Sequence, residues 1–285
     1  MGVLRLGSVS SADTSNAHPH TVPAGTNRCL MVGVEQEGGG VVQLAVGYGG
    51  QSMAAVVGIN VGDGTDQRVD IYFLNDAGIV AAADNQIDLT APPTNYGIIA
   101  QAYEFCVQTT PTVVDSEAAT GDSDPLTNIQ IAAIIDEMVF GLGGSGNTST
   151  GVTWAGTNPL IALTNLDVNA TAHAAAADRL VTGTETVNHN LTFTTAPNRV
   201  AGCACKVGFD PGVTREQDSF RYYNDDGTEA TATARENQNV DLVIARTIPF
   251  HARVGTQYVS DPVAEAAEWR YKETADAVGE YRKIP

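Results

Sequence analysis

The sequence predicts an all-β protein: two tandem antiparallel β-sandwich repeats of jelly-roll or immunoglobulin-like type, followed by a third, small β-sandwich domain. Three observations predict it. Apolar residues fall in short stretches separated by Gly, Pro, Asn and Thr, the rhythm of strands and turns. Residues 90–105 (TAPPTNYGIIAQAYEF) recur about 105 positions downstream as residues 195–209 (TAPNRVAGCACKVGF), each a turn followed by an alternating apolar strand. The match extends upstream at nearly the same offset: residues 30–40 correspond to 137–146, and 46–56 to 152–163, with Tyr48 and Trp154 each two residues before a Gly. Such a period exceeds the roughly 20–50 residues of a solenoid repeat and suits a whole sandwich of about 100 residues.

The predicted domains are residues 1–110 and 127–209, joined by a linker at 111–126, and then residues 213–285. In the first repeat Val22 opens the chain ahead of the turn residues Pro23 and Gly25, and strands follow at 29–35, 41–48, 53–59, 68–74, 86–90 and 96–107. Residues 78–83 read as a helical turn at most. Residues 108–126 (QTTPTVVDSEAATGDSDPL) hold few large apolar groups and read as the connection. The second repeat predicts strands at 129–135, 137–142, 151–154, 160–163, 172–181, 191–194 and 199–209. The run HAAAADRL from His173 to Leu180 has helix propensity, but its counterpart QRVDIYFL is strand-like, which favours a strand there too.

After Asp210-Pro211-Gly212 the composition changes: nine of the fifteen basic residues and five of the nine tyrosines fall in the last 76 positions, marking a separate unit. Two alternating runs flank Asp226-Gly227, a dipeptide favoured in tight hairpins. Residues 242–245 and 250–254 read as further strands. In the tail, Ala, Glu and Lys permit an amphipathic helix, but the alternation of Trp269 and Tyr271, and of Tyr281 and Lys283, around TADAVG suits a hairpin better.

The formal charge of -18, with no Lys or Arg between Arg68 and Arg179, argues against nucleic-acid partners, which are held through clustered basic side chains. No stretch approaches the roughly 18 apolar residues of a membrane span, so no membrane partner is expected. The start of the chain lacks the apolar core of a secretory signal, and Leu6 stands where a myristoylation signal needs Ser or Thr; the chain is expected to be made in a cytoplasm and not exported by its own leader. Of the four cysteines, Cys203 and Cys205 share one strand face and read as buried thiols, while a Cys29 to Cys106 bridge is left open by the sequence.

Catalytic, cofactor and metal residues are all expected to be none. His18 and His20 (HPH) could share one strand face around a metal, but no acidic or Cys partner stands at ligand spacing. His173, His189 and His251 are scattered. GGSG at 143–146 is not the GxSxG nucleophile elbow and reads, like EGGG at 37–40, as a flexible turn. Asp63 and Asp66, Asp122 and Asp124, and Asp225 and Asp226 sit where turns need them, and none completes an EF-hand loop. Among the aromatics, Tyr48, Trp154, Trp269 and Tyr271 read mostly as core. The adjacent Tyr222 and Tyr223 must point to opposite faces, leaving one for an interface or ligand.

With their alternating opening strand, apolar strand, aromatic-x-Gly turn and closing apolar strand, both repeats resemble the small sandwich modules found in tandem in structural proteins of tailed bacteriophages. The C-terminal unit resembles another such module through FRYYNDDGTEATATA, EWRYKE and EYRKIP. That resemblance implies a non-enzymatic virion protein: capsid decoration (cement or head fibre), or tail fibre and tail-tip adhesin. A coiled-coil heptad run and a long Gly-rich shaft, frequent in tail fibres, are missing from the sequence, which favours a capsid decoration (cement) protein on the head. The implied partners are the major capsid protein or other virion proteins and copies of itself, as a trimer; the alternative is an adhesin whose partner is a host surface glycan.

Overall fold

The computed structural model describes residues 2–14, 17–62, 66–120, 126–146, 152–169, 171–193, 199–210, 215–224, 250–258, 270–271 and 282–283, from residue 215 onward as backbone pairing. The protein is all-β and antiparallel. It divides into two compact units, Met1–Gly212 and Val213–Pro285.

The first half of the larger unit contains β1 (Leu4–Asp13), β2 (Ala17–Pro19), β3 (Cys29–Gly38), β4 (Val46–Tyr48), β5 (Gln51–Ser52), β6 (Ala54–Gly62), β7 (Asp66–Asn75), α1 (Asp76–Ala81), β8 (Gln86–Leu89) and β9 (Asn95–Glu104). A five-stranded sheet has the order β1-β9-β3-β7-β6, and a smaller sheet the order β2-β8-β4-β5. Apart from the neighbouring pairs β4–β5 and β6–β7, which stay in one sheet, the chain crosses from sheet to sheet at each step, and the orders β1-β9-β3-β7 and β2-β8-β4-β5 are jelly-roll connectivity. The second half contains β10 (Val114–Thr120), β11 (Gln130–Ala133), β12 (Met138–Ser145), β13 (Val152–Ala155), β14 (Ile161–Val168), β15 (Ala172–Leu180), β16 (Glu185–Asn188), β17 (Asn190–Phe193) and β18 (Arg199–Val207). Its large sheet has the order β10-β18-β12-β15-β14, strand for strand the order of the first, and its small layer consists of the pairs β11-β16 and β13-β17.

Strand alternation assigns the side chains to three cores. Leu30, Val32, Val34, Tyr72, Ile87 and Ile98 fill the first sandwich; Ile129, Ile131, Val139, Val187, Leu191 and Phe193 fill the second. The third core lies between the two large sheets. Cys29, Met31, Val69, Ile71, Phe73, Ile99 and Tyr103 come from one side, and Met138, Phe140, Leu142, Ala172, Ala174, Ala176, Ala201, Cys203 and Cys205 from the other. The order of layers is therefore small sheet, large sheet, large sheet, small layer. β6 lies against β10 and β18 while β14 lies against β1 and β9, the arrangement a local two-fold axis produces. The axis passes between β3 and β12, where like positions meet. Gly33 and Leu142 are each the fifth residue of their strand, and a Cβ on Gly33 would stand 2.7 Å from a Leu142 methyl. Glu35 and Gly144 are each the seventh, and a Cβ on Gly144 would stand 2.8 Å from Glu35 Cγ.

Several expectations need correction. The linker at 111–126 contains β10, an edge strand paired with β18 from Val114↔Cys205 to Thr120↔Arg199. Residues before Val22 hold β1 and β2, residues 41–45 are not strand, and β16 was not anticipated. Gly143, Gly144 and Ser145 are not a turn but the end of β12, which needs glycines because large groups of neighbouring layers press on them. The two sandwiches, expected as separate domains, lie in one compact unit. His173 to Leu180 is strand: β12 and β14 pair with it on either side, and pairing outweighs alanine's helix propensity. In the first half α1 is a short helix, with Asn75 as N-cap accepting from Gly78 N.

In the second unit β19 (Arg215–Asn224) pairs antiparallel with β20 (Phe250–Tyr258), and β21 (Arg270–Tyr271) with β22 (Arg282–Lys283), a hairpin pairing for the tail. The Asp226-Gly227 turn and residues 242–245 lie outside the described residues.

Candidate functional site

Ser10, His18 and His20 converge at one edge of the first sandwich. β1 forms one edge of the first large sheet and β2 one edge of its small sheet, so the two flank an open side of the sandwich. Gly7, at φ +73°, accompanies a bulge between Leu6 and Ser10 that shifts the register of β1 on β9 and sets where Ser10 falls. Along β2 and the residue that follows it, the alternation of extended chain sends His18 and His20 the same way, with Pro19 restricting the backbone between them. Ser10 Oγ lies 2.7 Å from His20 Nδ1 and 2.8 Å from His18 Nε2. The backbone is anchored: His20 N–H donates to Asn85 O at 2.8 Å, and Tyr48 OH donates to His20 O at 2.9 Å.

Burial holds both imidazoles neutral at pH 7, pushing His20 down to about 4, with His18 adding a smaller push, and lowering His18 as well. A neutral imidazole has one N–H and one lone pair, and the hydroxyl has one hydrogen. Ser10 therefore donates to one ring and accepts from the other. His20 Nε2 is buried without a partner.

Elsewhere the polar groups tie the structure together. Asp178, fully buried between the sandwiches, accepts from Tyr103 OH at 2.7 Å and from the Arg5 guanidinium. Arg199 donates to Glu37 at 2.9 Å, and Gln67 Nε2 to Glu35 Oε1 at 2.5 Å. Burial raises Glu35 well above the usual carboxyl value, so it is held protonated more readily than a surface glutamate. Asp70 is also raised, by burial, against the opposing pull of Arg68.

His173 Nδ1 lies 2.8 Å from Asp167 Oδ1. His189 is fully buried, packed edge-on to Trp154 at 4.7 Å, and neither of its ring nitrogens has a partner. His251 lies in β20, where only the backbone is described. All four cysteines are free and buried in the core between the large sheets, and burial pushes the thiols of Cys29, Cys203 and Cys205 up, away from the reactive thiolate. The Cys29 to Cys106 bridge left open by the sequence is not formed; both thiols are free and buried.

Tyr48 is buried, as its alternation predicts. Asp66 Oδ2 accepts from Gly40 N and braces the turn after β3. Asp63, Asp122, Asp124, Asp225, Asp226 and Trp269 lie outside the described residues. Among the described residues no group of three or more His, Cys, Asp or Glu converges on a metal position. No helix among them is long and apolar enough to cross a membrane. Compared with known proteins, the chain matches no family model, no curated protein and no solved structure.

Proposed function

We propose that the protein is a non-enzymatic virion component, a capsid decoration protein that sits on the outside of the particle, bound to the major capsid protein or other virion proteins as a homo-oligomer, a trimer. The observation that carries this reading is the third core. Two sandwiches whose large sheets share a buried face, cross-tied by Arg5–Asp178, Tyr103–Asp178 and Arg199–Glu37, resist relative displacement, as a part that braces a lattice under internal pressure must. The resemblance of both repeats to tandem sandwich modules of tailed bacteriophages supports the same reading. The excess of acidic residues suits a surface turned to solvent and away from packaged DNA.

Electron microscopy of virions labelled with gold-tagged antibody tests it. Dense label over the head, at many copies per particle, is the expected result. Particles lacking the protein should adsorb normally and lose infectivity faster on heating or osmotic shock. Label confined to the tail, with loss of adsorption, would replace this reading with a tail-fibre adhesin that binds a host glycan.

A further inference from the structure

The geometry points to a metal site at the open edge of the first sandwich, in which the imidazoles of His18 and His20 hold one divalent first-row transition ion beside the Ser10 hydroxyl. Three donor atoms from two sheets meet there, since both ring nitrogens lie within 2.8 Å of the same oxygen. The chelating pair is preset: His18 pairs with Ile87 in the ladder, and the backbone N–H and C=O of His20 are both occupied. Little conformational freedom therefore remains to be lost on binding. The rings are 6% and 2% exposed whereas Ser10 is half-buried, so the site opens to solvent on the serine side.

The donor set selects the ion. Imidazole nitrogens suit Zn²⁺, Cu²⁺ and Ni²⁺, while Ca²⁺ and Mg²⁺ take shells of oxygen. Metal–imidazole bonds of about 2.0–2.1 Å are shorter than the present N···O distances, so the rings close slightly as Ser10 rotates aside, and water fills the remaining positions. The ring that donates to Ser10 moves its hydrogen to its other nitrogen, and both imidazoles bind as neutral ligands. His173 has Asp167 as its partner and His189 is sealed against Trp154, so neither offers a second ring at this spacing.

The test is a titration of the chelator-stripped full-length protein with Cu²⁺, followed by visible and electron paramagnetic resonance spectra. One ion per chain with two coordinated imidazole nitrogens is expected, and Zn²⁺ should raise the thermal midpoint. His18→Gln and His20→Gln should each weaken binding roughly ten-fold or more, whereas Ser10→Ala keeps the two-nitrogen signature. Because these rings are buried, the wild-type protein supplies a readout independent of variant folding. Substoichiometric Cu²⁺ should broaden the imidazole resonances of His18 and His20 and spare those of His173 and His189. Absence of stoichiometric binding, binding unchanged in either Gln variant, or broadening at His173 or His189 instead would overturn the site.

Discussion

The two halves of the first unit have the same strand order and opposite side-chain volumes. At the face they share, the first half presents Met31, Ile71, Phe73, Ile99 and Tyr103, while much of the second is Ala172, Ala174, Ala176, Ala201, Cys203 and Cys205. A two-fold arrangement of identical sheets would set large against large at the axis and leave gaps away from it. Two different halves in one chain can set a large residue against a small one at like positions, as Gly33 meets Leu142 and Glu35 meets Gly144. Close packing needs such complementarity, because an unfilled methylene or an extra one is felt at interior density.

The largest expected effect comes from removing a bulky member of the second half. Phe140 is fully buried and stacks edge-on to Tyr103 across the shared face. Phe140→Ala should cost about 3–5 kcal/mol in a denaturant titration, with both halves unfolding in one transition. A loss below about 1 kcal/mol, or two separate transitions, would mean the halves do not depend on a common core.

Acid acts on a buried imidazole in each half, His20 in the first and His189 in the second. His189 is buried in the second sandwich with its pKa lowered from 6.5 to about 4, so its contribution to stability is complete above pH 6.5 and is lost as pH falls toward 4. That loss is on the order of 3 kcal/mol at pH 4. His189→Leu should flatten the acid limb of the stability profile, followed through Trp154 fluorescence in a Trp269→Phe background. An unchanged limb would show that the imidazole is not what acid titrates.

A smaller change tests the pairing at the axis. Gly33→Ala should cost about 1–3 kcal/mol through its clash with Leu142, and Leu142→Val should recover part of that loss in the double variant. Strict additivity of the two substitutions would place them out of contact.

The smallest effect is expected at Glu35. Its folded-state pKa lies above the ordinary 4.5, so its contribution is fully present below that pH and is lost as pH rises through the folded value. Protonated, the carboxyl carries a donor, and Gln67 Oε1 beside it is a buried acceptor without a partner. Glu35→Gln should leave the thermal midpoint unchanged at pH 4 and raise it at pH 8. Parallel curves at both pH values would argue that Glu35 ionises without cost.

The strands legible in the sequence were those with alternating or continuous apolar residues, such as β9 and β18, whose turn signals stand in front of them. β15 was legible only by analogy with β7, because its alanines carry no strand signal of their own. β1 and β10 were missed because edge strands need fewer apolar groups, and LRLGSVSSAD and VDSEAAT read locally as loop. In β10, moreover, Asp115 and Glu117 look like linker acids, yet their carboxylates accept backbone N–H groups of Gln130, Thr127 and Asn128 and fasten the strand to the segment that leads into β11. Missing β1 also hid the candidate site. HPH was visible, but the hydroxyl between its two rings belongs to a strand whose partner is about 90 residues further along.

The shared face also bears on synthesis. A ribosome that has made only the first sandwich displays Met31, Val69, Ile71, Phe73 and Ile99 bare, and they stay so until Val207 has emerged. During that interval Val3 and Arg5 likewise wait for Asp136 and Asp178. Neighbouring nascent chains on one messenger would present like faces to each other at high local concentration. The delay between the two halves sets the time during which a chaperone must occupy that surface, and slowing translation after residue 110 should lower the soluble yield.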